Sequence, residues 1–503
     1  MATDMAFLWR VARSLNIEYA MFLYTVSFTI LEPFILDINK HRIALQHSEY
    51  MANMSARESE IHVVKTLATI DQISSVVGKP ISFFCTLLVG SISDEQGRKP
   101  FIVVGATVVV LVLAVAQLLG TFSLSVPLEL IYVTVMLFSF ARSTLPTFTA
   151  YITDQCLRFP KHLFPRIVIS NTMFGVGTIS ANLFVAFVAR RVYFYGWAVH
   201  HIAYAIAEVI VTLAVVYCVL GLKDMRPPQH KAVANGDSPQ QRQQQKSVLL
   251  NAVKMIPQHM IASFKALFKQ RARNKRALLI VLAVYAVTSS FANYYEETFL
   301  FLYTVSEPFG WDYENRAKYN LFRSIIDLSG GLICPLVFRK VLKLRYSTIL
   351  FVIGLSNVGS SLMAANAATT TQIYYKLLFD FFATGGAGFK IAVEIIDPDE
   401  MGRFVAIVSV GGLLNSMIQG LILTQIYKST VETHPSTAWY ALTAMAAAVT
   451  LLWVWGHILY IREEPYIKER TNRRRATMVQ AHEQEKEERA RSRGLSAGQD
   501  FDF

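Results

Sequence analysis

The chain has 503 residues, of which 53% are hydrophobic and 17% are charged, and its mean hydropathy is +0.36. Soluble proteins carry about 25% charged residues, so this composition excludes a soluble multidomain protein. It equally excludes a fibrous, disordered or disulfide-stapled secreted chain. The net charge of +12 comes from basic residues in loops and tails between apolar segments. That distribution indicates a lipid bilayer, and no nucleic-acid polymer, as the partner of these charges.

Twelve apolar segments follow one another along the chain, each near the length of about 20 residues that one bilayer crossing needs. They cover 15–36, 67–92, 100–120, 127–151, 166–190, 198–222, 276–303, 317–338, 347–366, 372–395, 402–427 and 437–461. This arrangement predicts an all-α membrane protein of twelve transmembrane helices in two pseudo-symmetric six-helix halves. The predicted divisions are an N-terminus (1–14), a first half (15–222), a linker (223–275), a second half (276–461) and a tail (462–503).

The distribution of basic residues predicts the orientation. Loops on the side of both termini carry 22 Lys and Arg residues, whereas the opposite loops and their flanks carry nine. By the positive-inside rule, both termini and the linker are cytoplasmic. The sequon Asn53-Met54-Ser55 then lies in the first external loop and predicts a glycan on Asn53.

Two cytoplasmic segments have a distinctive composition. The linker segment 248–269 alternates apolar and basic residues at helical spacing. This pattern fits either a helix on the inner membrane surface or a plain connecting helix. The tail from Arg462 onward mixes Arg, Glu and Lys without an apolar face, which predicts a disordered segment or a solvated helix.

The sharpest local motif lies between the second and third segments and reads GSISDEQGRK, from Gly90 to Lys99. It resembles the gating-loop motif G-x3-D-x2-G-R-K/R of the major facilitator superfamily at every defined position. Gly90 allows close helix approach, Gly97 supplies the unusual dihedral of a tight turn, and Asp94 can pair with Arg98. We expect this charge cluster to form and break as two half-bundles rock against each other.

Charged residues inside the apolar segments are candidates for function, because each one costs about 2.5–3.5 kcal/mol to insert. Arg142 and Lys390, with Glu394 one turn beyond, are predicted to bind an anionic substrate near mid-membrane. Carboxyls with no evident partner are predicted to carry protons, and these are Asp154, Glu296 and Glu297. Arg323 and Asp327, spaced i, i+4, are predicted to form an internal ion pair, either for structure alone or with a part in transport.

Three further segments resemble solute carrier family 46, the proton-coupled folate transporter-like branch of the major facilitator superfamily. They are Ala150–Asp154 (AYITD), Leu302–Asp312 (LYTVSEPFGWD) and Asp399–Phe404 (DEMGRF) followed by Asn415-Ser416. The resemblance covers most of 15–460. It implies a twelve-helix fold whose halves rock around a central site, and import of anionic organic solutes with a proton gradient as driving force. Asp154 matches the acidic residue of that family after its fourth helix.

Two departures from the family pattern bear on mechanism. Lys390 stands where folate-type members have an arginine, so the charge is kept without the bidentate fork. Asn171 stands where they have a glutamate used in proton coupling, which argues against folate-type coupling unless Glu296 or Glu297 takes over. The family is associated with folates, muropeptides and cyclic dinucleotides, so the resemblance leaves the substrate open.

The sequence therefore predicts a secondary active transporter that imports a small anionic organic solute by alternating access, with protons as the candidate coupling ion. A plasma membrane is favoured over an endolysosomal one, and the oligomeric state stays open. The sequence contains no phosphate-binding loop, catalytic motif or metal-ligand spacing, so neither an enzyme nor a cofactor or metal is predicted. One alternative is a drug or metabolite antiporter of the same fold, although Gly175-Val176-Gly177 lacks the Gly-Pro element of that class. The other is a non-transporting membrane receptor or scaffold.

Overall fold

The structure is a computed structural model that describes residues 16–117, 144–156, 163–192, 198–223, 261, 265, 267–271, 273–305, 308–383, 387–396 and 398–497. Within these ranges all regular structure is helical. Every one of the twelve predicted segments overlaps a described helix, although most of 127–151 lies outside the described residues. The predicted all-α fold class is therefore confirmed.

The first half contains, besides a single turn at Ser48–Met51, the helices α1 (Asn16–Gln46), α2 (Ala56–Ile73), α3 (Lys79–Gln96), α4 (Lys99–Gln117), α5 (Leu145–Cys156), α6 (Leu163–Val192) and α7 (Ala198–Gly221). A π-helical turn, Ser74–Gly78, joins α2 to α3 without a break. Pro80 at the start of α3 has no backbone N–H to donate, and a local widening of the helix accommodates this.

The second half contains α8 (Lys275–Val305), α9 (Tyr313–Leu336), α10 (Tyr346–Ala365), α11 (Thr370–Ala383), α12 (Ala387–Ile395), α13 (Pro398–Thr430) and α14 (Thr437–Ala497). Asp312 caps α9, because its side chain accepts a 2.8 Å hydrogen bond from the backbone N–H of Asn315. Helix α14 is longer than predicted. Its apolar run ends at Ile461, Ile467 beyond the first charged residues is still buried in the core, and the same helix continues to Ala497.

By length and composition, five described stretches are long and apolar enough to cross a membrane: Lys99–Gln117, His201–Gly221, Tyr346–Ala365, Ile407–Thr430 and Thr437–Ile467. The helices end at two opposite faces of the molecule. We call one the loop face, which holds the connections 47–55, 308–312, 366–369 and 431–436. We call the other the tail face, which holds Gly97, residues 222–223, the connection 337–345 and the exit of α14 at Ile467.

The two halves pack on each other mainly through α6 against α9, and through α13 against α2, α3 and the π-helical turn between them. Near the loop face, Val64 and Leu67 of α2 share one hydrophobic cluster with Phe299 of α8 and Trp439 of α14. At the tail face, the described hydrophobic clusters each draw on a single half. The described residues thus form a common core across the halves at the loop face and separate cores at the tail face.

Candidate functional site

A buried ion pair lies inside the second half. Nζ of Lys376 in α11 is 2.7 Å from Oδ2 of Asp380 one turn later, and the Lys376 side chain is fully buried. The hydroxyl of Ser360 in α10 donates a 2.6 Å hydrogen bond to Oδ1 of Asp380. Both carboxylate oxygens of Asp380 are therefore satisfied, as a charge in this setting requires.

A second, looser ion pair lies on α9 beside the first. Nε of Arg323 is 3.7 Å from Oδ2 of Asp327, and their side chains are 11% and 41% exposed. The rings of Tyr319 on α9 and Tyr374 on α11 pack edge to face, with centroids 5.4 Å apart. The two ion pairs therefore lie on helices that pack against each other, and we call their four residues together the α9–α11 charge cluster (Arg323, Asp327, Lys376 and Asp380).

This cluster lies about halfway along α9. At about 1.5 Å of rise per residue, Arg323 is about 15 Å along α9 from its loop-face end at Tyr313. Asp380 lies equally far along α11 from Thr370. A hydrocarbon core about 30 Å thick that starts at these helix ends would have both residues near its midplane. A carboxylate that is partly exposed at this depth is expected to face a water-filled cavity rather than lipid, and Asp327 is such a group.

The charges of the cluster balance, with two cations and two carboxylates. Its looser cation, Arg323, carries a planar fork of donors that suits a substrate carboxylate or phosphate. Its tighter pair, Lys376 with Asp380, is closed off by burial and by Ser360. The arrangement can therefore bind an anion at Arg323 while the other pair keeps its geometry.

The predicted gating loop adopts a tight turn at the tail face. Gly97 has φ 98°, the left-handed region in which a side chain is strained, which confirms the predicted dihedral. Its backbone N–H donates to the carbonyl of Ser93 at 3.1 Å, and Nη1 of Arg98 donates to the Ser93 hydroxyl at 2.6 Å. Lys99 donates to the carbonyl of Val219 at the end of α7. Gly90 and Asp94 lie in α3, and the side chain of Asp94 lies outside the description.

Asp154 is paired, contrary to the expectation of a carboxyl without a partner. Nε of Arg98 lies 3.1 Å from its Oδ2, with side-chain exposures of 14% for Arg98 and 30% for Asp154. The sequence could not show this pair, because 56 residues separate the two partners. Asp154 therefore ties the gating loop to α5, and this contact competes with any role in carrying a proton.

The predicted pair Lys390 and Glu394 lies in α12, with Nζ 3.7 Å from Oε1. The phenol of Tyr460 donates to Glu394 at 3.4 Å. Gly388, two residues earlier, lies next to Leu282 near the start of α8 and Leu350 near the start of α10, so Lys390 lies toward the tail face. Its side chain is 42% exposed, which suits the mouth of a cavity.

The remaining predicted site residues are only partly described. Arg142 lies outside the described residues. Glu296 and Glu297 lie in α8, about two turns before its loop-face end, and their side chains lie outside the description. The described structure therefore supplies no contact for these three residues.

Asn53 is exposed at the loop face. Next to it, Ser55 and Glu58 form a capping box at the start of α2: the Ser55 N–H donates to Oε2 of Glu58 at 2.8 Å, and the Glu58 N–H donates to Oγ of Ser55 at 3.3 Å. The Ser55 hydroxyl also donates to Oε2 of Glu58 at 2.7 Å, and this bond together with that from the Ser55 N–H holds the pKa of Glu58 below its usual value. The serine of the sequon therefore also starts a helix.

Lys376 and Ser360 are functional candidates that the sequence analysis missed. Lys376 lies four residues before Asp380 within an apolar helix, so the i, i+4 spacing was a readable signal. Ser360 gave no signal, because serine is common in packed membrane helices and its partner lies on another helix.

The family profile of the Major Facilitator Superfamily matches residues 19–392. No curated protein matches the chain significantly. Among solved structures, the human organic anion transporter MFSD10 (TETRAN) is 15% identical with a TM-score of 0.58, covering 88% of this chain and 99% of that one.

A POT family transporter in complex with 5-aminolevulinic acid is 12% identical with a TM-score of 0.62, covering 90% of this chain and 96% of that one. The nucleoside transporter NupG is 14% identical with a TM-score of 0.55, covering 88% of this chain and 99% of that one. These likenesses concern the fold, and the profile match extends over most of the sequence. The chain therefore belongs to the Major Facilitator Superfamily, a family of membrane transporters.

Proposed function

We propose that the chain is a secondary active transporter that imports an anionic organic solute by alternating access, with Arg323 as the residue that binds the anion. The observation that carries this proposal is the α9–α11 charge cluster at mid-membrane. The substrate class is that of a folate, a muropeptide or a cyclic dinucleotide. The loop face would be external and the tail face cytoplasmic, in a plasma membrane.

The packing of the halves supports alternating access. A transporter of this kind closes one face while the other is open, and its halves then share a core at the closed face only. The common core at the loop face, reinforced by Lys65 Nζ at 2.5 Å from Glu432 Oε1, has this asymmetry. The corresponding state is one that opens toward the tail face.

The substrate would meet two cations in this state. Lys390 lies near the tail face and 42% exposed, where it can attract or release an anion. Arg323 lies deeper, next to the partly exposed Asp327. Arg142, from the first half, remains our candidate for the opposite wall. One of the similar structures is an organic anion transporter, which agrees with an anionic substrate.

Proton coupling would follow from charge balance in the cluster. An anion that takes the fork of Arg323 displaces Asp327, and the cluster then carries one excess negative charge. A proton on Asp327 restores neutrality, so one proton accompanies each anionic group. On α9, Tyr319 and Phe322 pack against Tyr374 of α11, the helix that carries Lys376 and Asp380. Helix α6 also packs against α9 here, where Gly175 lies next to the side chain of Leu328.

Other carboxyls remain candidates for the proton. Glu296 and Glu297 lie in α8 and would substitute for the glutamate that folate-type members have at the position of Asn171. Asp154 is the weaker candidate, because Arg98 already holds it. Asp327 is therefore the first candidate, Glu296 and Glu297 come next, and Asp154 comes last.

The test is uptake by cells that express the chain, with labelled folate, muramyl dipeptide and a cyclic dinucleotide, at external pH 5.5 and 7.5. We expect saturable uptake of one compound that is faster at the lower pH. Arg323→Gln should abolish it, and Asp327→Asn should retain uptake but lose its pH dependence. Lys428→Gln, at the loop-face end of α13, is the matched control and should behave like the unmodified chain.

The outcomes separate the alternatives. Uptake that survives Arg323→Gln removes Arg323 from the site. Efflux driven by an inward proton gradient would indicate the drug or metabolite antiporter. A chain that reaches the cell surface and transports none of the panel in either direction would contradict the substrate class and favour the receptor or scaffold.

A further inference from the structure

The exit of α14 at the tail face is held by three contacts within the second half. Glu463 is buried and accepts a 3.2 Å hydrogen bond from the backbone N–H of Asn274, just before α8. Oε2 of Glu464 lies 3.0 Å from Nε of Arg345 in the connection between α9 and α10. The guanidinium of Arg273 stacks on the ring of Tyr466, 3.1 Å from its centroid.

These contacts bring three basic segments together around one helix. They are the end of the linker up to Arg276, the connection 337–345, and the start of the charged tail. Exposed cations from all three surround the exit, and we call them the basic collar: Lys265, Lys269, Arg273, Arg276, Arg339, Lys340, Lys343, Arg345 and Arg462. The collar is the most basic part of the described tail face of the second half.

The carboxylates near the collar are turned inward. Glu463 is 3% exposed, and the side chains of Glu464 and Glu394 are 12% and 16% exposed. In the described parts of 261–276, 337–345 and 462–469, Glu469 is the one exposed acidic residue. The surface that the collar offers is therefore strongly positive, and the positive charge continues into α14 as Lys468, Arg470 and Arg473-Arg474-Arg475.

Exposed apolar side chains alternate with these cations at the level where the bilayer ends. Phe268 is 48% exposed beside Lys269, and Val341 and Leu342 are 72% and 54% exposed between Lys340 and Lys343. The apolar run of α14 ends at Ile461, next to Arg462 of the collar. Such alternation suits the boundary between acyl chains and headgroups, where the apolar groups enter the hydrocarbon and the cations stay among phosphates.

We propose that the basic collar binds the phosphate headgroups of anionic phospholipids in the leaflet next to the tail face. The depth of the collar favours a membrane lipid over a soluble phosphate compound, because the exposed apolar side chains need acyl chains beside them. A headgroup with several phosphates would bridge the linker end, the α9–α10 connection and the tail. This inference does not depend on the transported substrate.

The test uses the full-length protein purified in detergent and a fluorescent, short-chain phosphatidylinositol 4,5-bisphosphate, with binding followed by anisotropy. The collar variant combines Lys265→Gln, Lys340→Gln and Arg462→Gln, three exposed side chains for which the described part of the chain shows no ion pair. Each lost cation near a membrane surface weakens lipid binding about fivefold, so the variant should bind about a hundredfold more weakly. Binding should also weaken as salt is raised.

The matched control removes three lysines at the opposite face, with Lys40→Gln, Lys318→Gln and Lys428→Gln, and its affinity should stay within about twofold of the unmodified chain. Size-exclusion chromatography checks that both variants are folded. Equal loss in the control would show a general charge effect and overturn the proposal, as would full affinity of the collar variant. Competition by soluble inositol 1,4,5-trisphosphate as strong as by the lipid would assign the collar to free phosphates instead.

Discussion

Lys376 and Asp380 hold each other one helical turn apart at mid-membrane, with Nζ 2.7 Å from Oδ2. The lysine is fully buried, and the carboxylate has the hydroxyl of Ser360 on its other oxygen. Neither charge is accessible enough to exchange its partner for a substrate. The pair therefore serves as the fixed part of the α9–α11 charge cluster, and the looser pair of Arg323 and Asp327 as its exchangeable part.

Breaking the fixed pair should destabilise the protein strongly. Lys376→Met leaves the buried Asp380 charge without its counterion, which costs about 3–5 kcal/mol of unfolding free energy. Adding Asp380→Asn should recover most of that loss, because no uncompensated charge remains. Thermal unfolding of the purified variants in detergent measures both effects.

Lys318→Met is the matched control, because Lys318 and Glu314 form a pair with the same spacing at partly exposed positions. An exposed pair of this kind is worth about 0–1 kcal/mol. A loss for Lys376→Met no larger than that of the control would show that the buried pair is not a structural unit. The same conclusion would follow if the double variant were no more stable than Lys376→Met alone.

The contact between Arg98 and Asp154 bears on two alternative roles for Asp154, which either fixes the gating loop or carries the proton. If Asp154 fixes the gating loop, Asp154→Asn weakens a hydrogen bond between charged groups worth about 1.5–3 kcal/mol and slows uptake equally at pH 5.5 and 7.5. If Asp154 carries the proton, the same variant loses the pH dependence. The contact at 3.1 Å leads us to expect the first result.

The charge exchange Arg98→Asp with Asp154→Arg sharpens this test. The ion pair returns with its sign reversed, while the hydrogen bond from Arg98 to Ser93 is lost. We expect partial recovery of uptake relative to either single change. Recovery to no more than the level of the worse single variant would mean that the two residues act separately.

Sequence reasoning found the helices and the gating turn because both depend on local chemistry. Apolar length is enough to predict a membrane crossing, and the glycine at position 97 is needed for a positive φ whatever surrounds it. The sequence predicts a membrane span that ends at 461, and its mixed charges fit either a disordered tail or a solvated helix. In the structure, the helix continues since Ile467 still packs in the core and Glu463 and Glu464 find partners.

The candidate site was harder to predict from the sequence, because some of the residues that contact each other there are far apart along the chain. Arg98 and Asp154 meet across α3 and α5, and no local pattern links them. The pair at 323 and 327 was visible from its spacing, yet its connection to Asp380 depends on how α9 packs against α11. The position of Lys390 toward the tail face likewise depends on how α12 packs against α8, α10 and α14, which the sequence does not show.

The stability of the loop face should depend on pH through His62. Its Nε2 lies 2.8 Å from Nδ1 of His47, at the start of α2. Burial and the nearby His47 hold the pKa of His62 below its usual value of 6.5. As pH falls below that value, the unfolded chain binds more protons than the folded one, so stability present at neutral pH is lost.

Thermal unfolding between pH 7.5 and 5 measures this effect. His62→Gln should flatten the acid side of the profile, because the group that must be protonated is gone. His434→Gln is the control, since His434 is an exposed histidine of the same face. A profile for His62→Gln that falls as steeply as that of the unmodified chain would assign the acid sensitivity to other groups.

A glycan on Asn53 would identify the external face of the molecule. It is exposed at the loop face, within the sequon that ends at Ser55. If the loop face is external, Asn53 carries a glycan, and Asn53→Gln should increase gel mobility by the mass of that glycan. Glycosidase treatment of the unmodified chain should produce the same shift.

Ser55 belongs to the sequon and also caps α2 together with Glu58, so the experiment must separate these two roles. Ser55→Thr keeps both the sequon and a capping hydroxyl, so it should leave the glycan and the stability unchanged. Glu58→Gln keeps the sequon and a side chain that can still accept from the Ser55 N–H, so it reports on the cap alone. A glycan lost in Asn53→Gln but kept in both of these variants places the loop face outside, and the basic collar then meets the cytoplasmic leaflet. A chain that shows no shift in any variant would leave the orientation to the distribution of Lys and Arg.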